Sequence, residues 1–296
     1  MNEPIHTPVL LKEIIHFLEI KKNDTIVDFT MGFGGHAKEL IDKLNSTGRY
    51  IGIDQDINAI NFCKAKFSTN KNVSIHHSNY NEFPSVLKKE SITKLDKALI
   101  DLGVSSHQFD DITRGFSHRG DAILDMRMNT KIASTTAKDI INTYSKTDLS
   151  DLFYNFGELH QNKKLVENIL YKRSQNSIET TQQLCELIKK SYYFNNNRKK
   201  LIKTYSQVFQ ALRIEVNQEF DVLQKTLSKL SNYVTKESII AIITFHSLED
   251  RLVKNFVKSS ETLEFFPKKV IKPTYEERKK NARARSAKCR IIKIKT

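Results

Sequence analysis

Cysteine is scarce in this chain of 296 residues, with only Cys63, Cys185 and Cys289, far apart. There is no CxxC pair and no Cys/His spacing of a zinc site. An odd count argues against a disulfide framework, so a reducing compartment, the cytoplasm, is the expectation. Long apolar runs are also missing. The longest candidate, Ile239 to Phe245, is strand-sized and far short of the roughly 20 residues that span a bilayer. Glu3, His6, Lys12 and Glu13 interrupt the apolar stretch a signal peptide needs. The sequence holds no internal repeat and no low-complexity tract. Acidic residues are the other shortage: 34 Asp and Glu face 48 Lys and Arg, for a net charge of +14.

That imbalance favours a polyanionic partner on electrostatic grounds. It is concentrated in two places. Between Lys268 and Thr296 basic residues far outnumber the two carboxylates, Glu276 and Glu277. A second stretch holds Lys189, Lys190, Arg198, Lys199, Lys200 and Lys203, with Tyr192, Tyr193 and Phe194 interleaved.

Hydrophobic periodicity sorts the chain into alternating elements. Val9, Leu10, Ile14, Phe17 and Leu18 have helical spacing. Short buried strands are expected at Thr25–Phe29, Tyr50–Asp54, Val73–His76 and Lys97–Asp101, with helices near His36–Leu44 and around Ala59, Ile60, Phe62 and Cys63. This alternation predicts an open parallel sheet with helices on both faces, whose ligands bind outside the carboxyl ends of the strands. The rhythm stops after about Phe109. From Ala133 to Ser206 only helical stretches occur, among them Leu149–Phe156, Leu165–Arg173 and Thr181–Tyr192. A helix over Gln207–Leu230, a buried strand over Ser238–Phe245 and a final edge strand over Cys289–Ile294 then resume the sheet. The expected division is a discontinuous sheet domain of residues 1–109 and 207–296, with a helical insertion of residues 110–206.

Three constellations carry chemistry. The first, Asp28-Phe29-Thr30-Met31-Gly32-Phe33-Gly34-Gly35-His36, is a glycine-rich turn between strand and helix, where a ligand can approach the backbone. Asp54 closes the next strand and is placed to accept the hydroxyls of a ribose. A dinucleotide would use a similar arrangement. The third glycine of GxGxxG is missing, however, and nothing downstream resembles a hydride-transfer site, so a nucleoside cofactor without a pyrophosphate fits better. The second is Asp101-Leu102-Gly103-Val104-Ser105-Ser106-His107-Gln108, after the fourth strand, which can hold an amino group of an adenine or a substrate base. The third is Thr244-Phe245-His246-Ser247-Leu248-Glu249-Asp250-Arg251. Its Ser, His and Asp admit a hydrolase, but the GxSxG elbow is absent.

These strings resemble those of the MraW/RsmH-type methyltransferases, over nearly the whole chain. The resemblance rests on His6-Thr7-Pro8-Val9-Leu10-Leu11, Gly34-Gly35-His36, Ile53-Asp54-Gln55-Asp56 and Asp101-Leu102-Gly103-Val104-Ser105-Ser106. It continues through Arg114-Gly115-Phe116-Ser117, Leu124-Asp125-Met126-Arg127-Met128, Phe209-Gln210-Ala211-Leu212-Arg213-Ile214, Phe245–Arg251 and Arg285-Ser286-Ala287. It implies an α/β class I S-adenosylmethionine-dependent methyltransferase: a Rossmann-like, mostly parallel seven-stranded sheet with an inserted all-helical substrate-recognition domain. It further implies N4-methylation of a cytidine in the decoding region of small-subunit ribosomal RNA, in the cytoplasm, by a monomer or weak homodimer. The alternative is an assembly factor that binds this RNA and keeps the cofactor pocket.

The implied cofactor contacts are Gly34, Gly35, His36, Asp54, Tyr80, Asp101 and Gln108. Tyr80 stands where the family usually has Phe, and its ring can still pack on an adenine. Asp101 is expected to orient the cofactor, with Ser105, Ser106 or His246 contacting the base; no metal is expected. RNA phosphates are assigned to Arg114, Arg119, Arg127, Arg283, Arg285 and Lys288. The chain departs from the family pattern at Thr204-Tyr205-Ser206-Gln207, where His-Pro-Ala-Thr-Arg is usual, and at Phe33, Asn129, Leu159 and Ala282.

Overall fold

The computed structural model describes residues 8–104, 106–130 and 134–295, and at 106 and 107 the backbone alone. The chain forms two compact units, one from Met1–Gly103 with Phe220–Thr296, the other from Val104–Glu219.

The first unit begins with α1 (Leu11–Leu18), β1 (Thr25–Asp28), α2 (Gly35–Ile41), β2 (Arg49–Asp54), α3 (Ile57–Lys66), β3 (Val73–His77), α4 (Phe83–Lys89) and β4 (Lys97–Asp101). The second unit contributes α5 (Ser106–Asp110), α6 (Ala137–Thr143), α7 (Lys146–Asn155), α8 (Lys163–Gln175), α9 (Thr181–Ser191) and α10 (Arg198–Asn217). The chain then runs through α11 (Glu219–Leu230), β5 (Ile239–Thr244), α12 (Ser247–Ser259), β6 (Leu263–Phe265), α13 (Tyr275–Lys280) and β7 (Lys288–Ile294).

The seven strands form one sheet in the order β3-β2-β1-β4-β5-β7-β6. β1 to β5 are parallel, and β7 is antiparallel to both of its neighbours. Alternate side chains enter opposite cores, as the pleat requires. Val27, Ala98, Ile100, Ile240 and Ile242 face one cluster. Ile26, Leu99, Ala241 and Ile243 face the other. β1 lies between β2 and β4, so the connections diverge there and open a crevice at the strands' carboxyl ends.

In the second unit, capping boxes start three helices. Thr136 pairs with Asp139, Ser145 with Asp148 and Thr180 with Gln183, each closing a reciprocal side-chain and backbone bond.

Two sequence expectations need correction. Gln207–Leu230 is not one helix. Gln218, at φ 49, ends α10 in the left-handed region, and α11 starts at Glu219. The apolar spacing runs through this break, which hides it. The two helices serve different cores: Val208, Phe209, Leu212 and Val216 pack in the helical unit, while Leu223, Leu227 and Leu230 pack under the sheet. The division therefore falls at 103/104 and 219/220, against 109/110 and 206/207 from the sequence. Second, β7 is not the edge strand. It is hydrogen-bonded on both sides, and the edge is β6, whose three residues are too short to show a pattern.

Candidate functional site

The glycine-rich turn is stitched to the strands on either side of β1. Phe29 N donates to Leu99 O on β4 (2.9 Å) and Met31 N to Ile53 O on β2 (3.0 Å). Gly32 and Gly34 have φ of +52° and +74°, where a side chain is strained. A Cβ on Gly34 would lie 2.9 Å from the Phe67 ring and 3.2 Å from Cys63 Sγ. A Cβ on Gly32 would come no nearer to another residue than 4.0 Å, at Thr30 O. One glycine is thus needed for packing, while the other leaves open space above the turn. Phe33, where the family has a small residue, lies 5.4 Å from Phe62, ring centre to ring centre.

Asp54 clamps this turn. Its Oδ2 accepts from Gly32 N (2.8 Å) and its Oδ1 from Asp56 N (2.8 Å). The two bonds fix the plane of the carboxylate while leaving lone pairs for a ligand. Burial pushes its pKa up to about 6, against those backbone bonds. Asp28, at the end of β1, is deeper. It accepts from Tyr50 Oη (2.8 Å) and Thr30 N (3.1 Å), and burial pushes it up to about 7.

Asp101 ends β4, and its backbone N donates to Thr30 Oγ1 (2.6 Å). Burial, with Asp28 and then Glu249 nearby, holds its carboxyl well above the usual range. Its Oδ1 is buried with no hydrogen-bond partner among the described residues. Its Oδ2 lies 3.8 Å from His36 Nδ1, and His36 Nε2 is 2.9 Å from Val9 O. A carbonyl only accepts, so the proton sits on Nε2 and Nδ1 faces Asp101 without one when the ring is neutral. His36 is buried and ties the segment before α1 to the end of β4.

The structure gives His246 a local duty. It is the N-cap of α12: its Nδ1 accepts from Glu249 N (3.4 Å), while Glu249 Oε2 accepts from Phe245 N (2.7 Å) and His246 N (3.2 Å). Its Nε2 is 3.0 Å from Glu249 Oε1. Glu249, three residues on, is the capping-box signature that the sequence already carried. Tyr80 opens a 3-10 turn after β3 and packs against the sheet core. Gln108 is buried on α5 in the second unit, and Ser105 lies outside the described residues. Asp28 lies in the glycine-turn motif with no role expected of it, and Tyr50 is not among the expected site residues. The signal was an acid at a strand end opposite a buried strand tyrosine.

The basic residues divide. Arg127 grips Asp125 through Nε (2.8 Å) and Nη2 (2.8 Å). Arg114 Nη2 donates to Arg127 O and Met128 O, each at 2.9 Å. Lys288 Nζ donates to Asp250 (3.3 Å), which Arg290 also holds at 2.6 Å. The cationic ends of these three candidates are therefore engaged in internal bonds that shape loops and join β7 to α12. Arg119 is exposed, and so is Arg285, whose Nε donates to Arg278 O (3.3 Å). Arg283 is half-buried.

Three acids thus close β1, β2 and β4 around an open glycine turn. Such a mouth is suited to a nucleoside that carries positive charge. With the strand order 3-2-1-4-5-7-6 and β7 alone reversed, it defines a class I S-adenosylmethionine-dependent methyltransferase. The residues present fit that cofactor: the open space over Gly32 and the lone pairs left on the clamped Asp54 carboxylate suit a bound nucleoside.

Within this class the chain belongs to the MraW methylase family, whose model matches residues 3–295. It is 40% identical over 306 residues to a "Ribosomal RNA small subunit methyltransferase H" of Clostridium botulinum, covering 97% of this chain and 98% of the relative. It is 42% identical over 291 residues to a protein of the same name from Hydrogenobaculum sp., covering 98% and 96%. Among solved structures, an rRNA methylase from Streptococcus thermophilus is similar at 8% identity and a TM-score of 0.47, covering 100% of this chain and 99% of that one.

Proposed function

We propose that this protein methylates the exocyclic N4 of a cytidine in the decoding region of small-subunit ribosomal RNA. The observation that carries this reading is its match, over nearly its whole length, to relatives named as small-subunit ribosomal RNA methyltransferases. The cytidine N4 and its location come from the resemblance of the sequence motifs.

Bound S-adenosylmethionine supplies an electrophilic methyl group on a sulfonium. The chain's own work is to bind and orient. Asp54, already fixed by Gly32 N and Asp56 N, accepts the ribose hydroxyls. The Gly32–Gly35 turn lets the ligand lie against the backbone, with Tyr80 for the adenine and His36 beside it; Gln108 is a contact that the resemblance of the sequence motifs alone implies. A cytosine amino nitrogen is a weak nucleophile because its lone pair is delocalised into the ring. A hydrogen-bond acceptor facing its N–H helps it pyramidalise and then lose a proton. Asp101 Oδ1 is a buried acceptor with no partner among the described residues; burial holds its carboxyl well above the usual range, and the positive charge of the bound cofactor favours the ionised form that takes up that proton. His246, occupied in capping α12, suits a supporting role better than contact with the base.

The test is transfer of labelled methyl groups to small ribosomal subunits that lack the modification, followed by nucleoside mass analysis. N4-methylcytidine is the expected product. Methylation of another base overturns the acceptor and keeps the class. Cofactor binding without any transfer moves the reading to an assembly factor.

A further inference from the structure

The second unit carries a basic face that the cofactor site does not use. From Leu187 to Ile214 the chain has no acidic residue. Lys189 and Lys190 are exposed at the end of α9, Arg198, Lys199 and Lys200 are exposed in the first turn of α10, and Lys203 is exposed one turn later. Between these helices lies Tyr193, 82% exposed and the most exposed large hydrophobic side chain among the described residues.

Its exposure has a structural cause. Tyr192 and Phe194, on either side, pack against the helical core, so the chain direction turns the ring of Tyr193 outward. Asn195 and Asn196 adopt positive φ of 44° and 56°, and Asn197 caps α10 by accepting from Lys200 N (3.0 Å). Lys200 Nζ then reaches back to Tyr193 O (3.3 Å). The turn is therefore braced, and it presents an aromatic ring to solvent among six cations. The amino end of the 20-residue α10 adds its partial positive charge to the same field.

Cations spaced around a projecting aromatic are the physical requirements of an unpaired nucleic-acid strand: phosphates seek the charges and a base stacks on the ring. A solvated lysine-rich face would explain the charges but not the braced, outward tyrosine. We infer that the face formed by the end of α9, Tyr193 and the start of α10 binds a single-stranded segment of RNA, with Tyr193 stacking on a base and Arg198, Lys199 and Lys203 on phosphates. This inference rests on the RNA-substrate reading and moves part of the RNA contact away from Arg114 and Arg127, which bond internally.

The experiment uses the full chain with unmodified transcribed small-subunit ribosomal RNA. It measures affinity across a salt series, together with cofactor affinity and thermal midpoint. For single strands the logarithm of affinity falls with the logarithm of salt by about 0.7 per phosphate contact. The triple variant R198Q/K199Q/K203Q should weaken binding by at least about tenfold and flatten that slope by about 2. Tyr193→Ala should weaken binding by about tenfold and leave the slope alone, since it removes no charge. Cofactor affinity and thermal midpoint should stay at wild-type values in both. If the wild type methylates RNA and the triple variant keeps affinity and slope, the inference fails and the methyltransferase reading stands. If the triple variant loses RNA and the wild type transfers no methyl, the surface stands and that reading fails. Loss of binding to whole subunits, with naked RNA bound as before, would assign the face to an acidic protein and overturn the RNA assignment.

Discussion

Asp54→Asn probes the site most directly. The carboxylate accepts from two backbone N–H groups and, in the proposed complex, from two ribose hydroxyls. Asparagine keeps one acceptor oxygen and puts an amide donor in place of the other. The cofactor complex then loses one charge-assisted hydrogen bond, worth about 1.5–3 kcal/mol, so cofactor affinity should fall roughly 10- to 150-fold. The substitution also changes the pH dependence. Burial raises Asp54 to about 6 and Asp28 to about 7, so in the free protein both take up protons that the unfolded chain, with carboxyls near 3.9, would release. A raised acid of this kind stabilises the fold below the unfolded pKa and loses that contribution as pH rises through the folded one. A cationic cofactor favours the ionised acids. Its affinity should therefore increase as pH rises through 6 to 7 and level off above, and the step near 6 should vanish in Asp54→Asn. Isothermal titration from pH 5 to 8, with the thermal midpoint as a control for folding, reads both effects. Affinity within threefold of wild type and an unchanged pH profile would refute the placement of the ribose on Asp54.

Three other substitutions act on the neighbouring acid, on the glycine turn and on the contact between α12 and β7. Asp101→Ala should cut methyl transfer at least about a hundredfold without lowering the thermal midpoint, because it removes a half-buried acid whose Oδ1 is buried and unpartnered among the described residues; turnover within tenfold of wild type contradicts the role given to Oδ1. Gly34→Ala places a side chain at φ +74°, 2.9 Å from Phe67, and should cost about 1–3 kcal/mol, seen in thermal or denaturant unfolding. Asp250→Asn tests the clasp between α12 and β7. Burial alone would raise Asp250, but Arg290 and Lys288 bring its carboxyl below the ordinary value. Its contribution, roughly 1 kcal/mol after allowing for exposure, is present above the unfolded pKa of about 3.9 and lost as pH falls through the folded value. The gap in stability between wild type and variant should close on acidification, and a gap that persists at pH 2 argues against the ion pair.

Much of the first unit was legible in the sequence because its signals are local. Three consecutive apolar residues, Ala98 to Ile100, preceded by Lys97 and ended by Asp101, mark β4 without any knowledge of its partners. The same holds for β1 and β2, and for the glycines of the turn between β1 and α2, whose backbone angles only glycine adopts at little cost. The resemblance of whole motifs added the class. Tertiary structure decided what local pattern could not. It split the apolar run of Gln207–Leu230 at Gln218 because α10 and α11 belong to different cores. It placed β7 inside the sheet, since pairing on its second side depends on the three residues of β6. It turned Arg114, Arg127 and Lys288 inward, because a guanidinium or ammonium takes whatever acceptor the fold brings near, and residue type alone does not reveal that acceptor. It set the protonation of the acids as well: Asp28, Asp54 and Asp101 are ordinary aspartates in sequence, and only their burial side by side at three strand ends raises their pKa values.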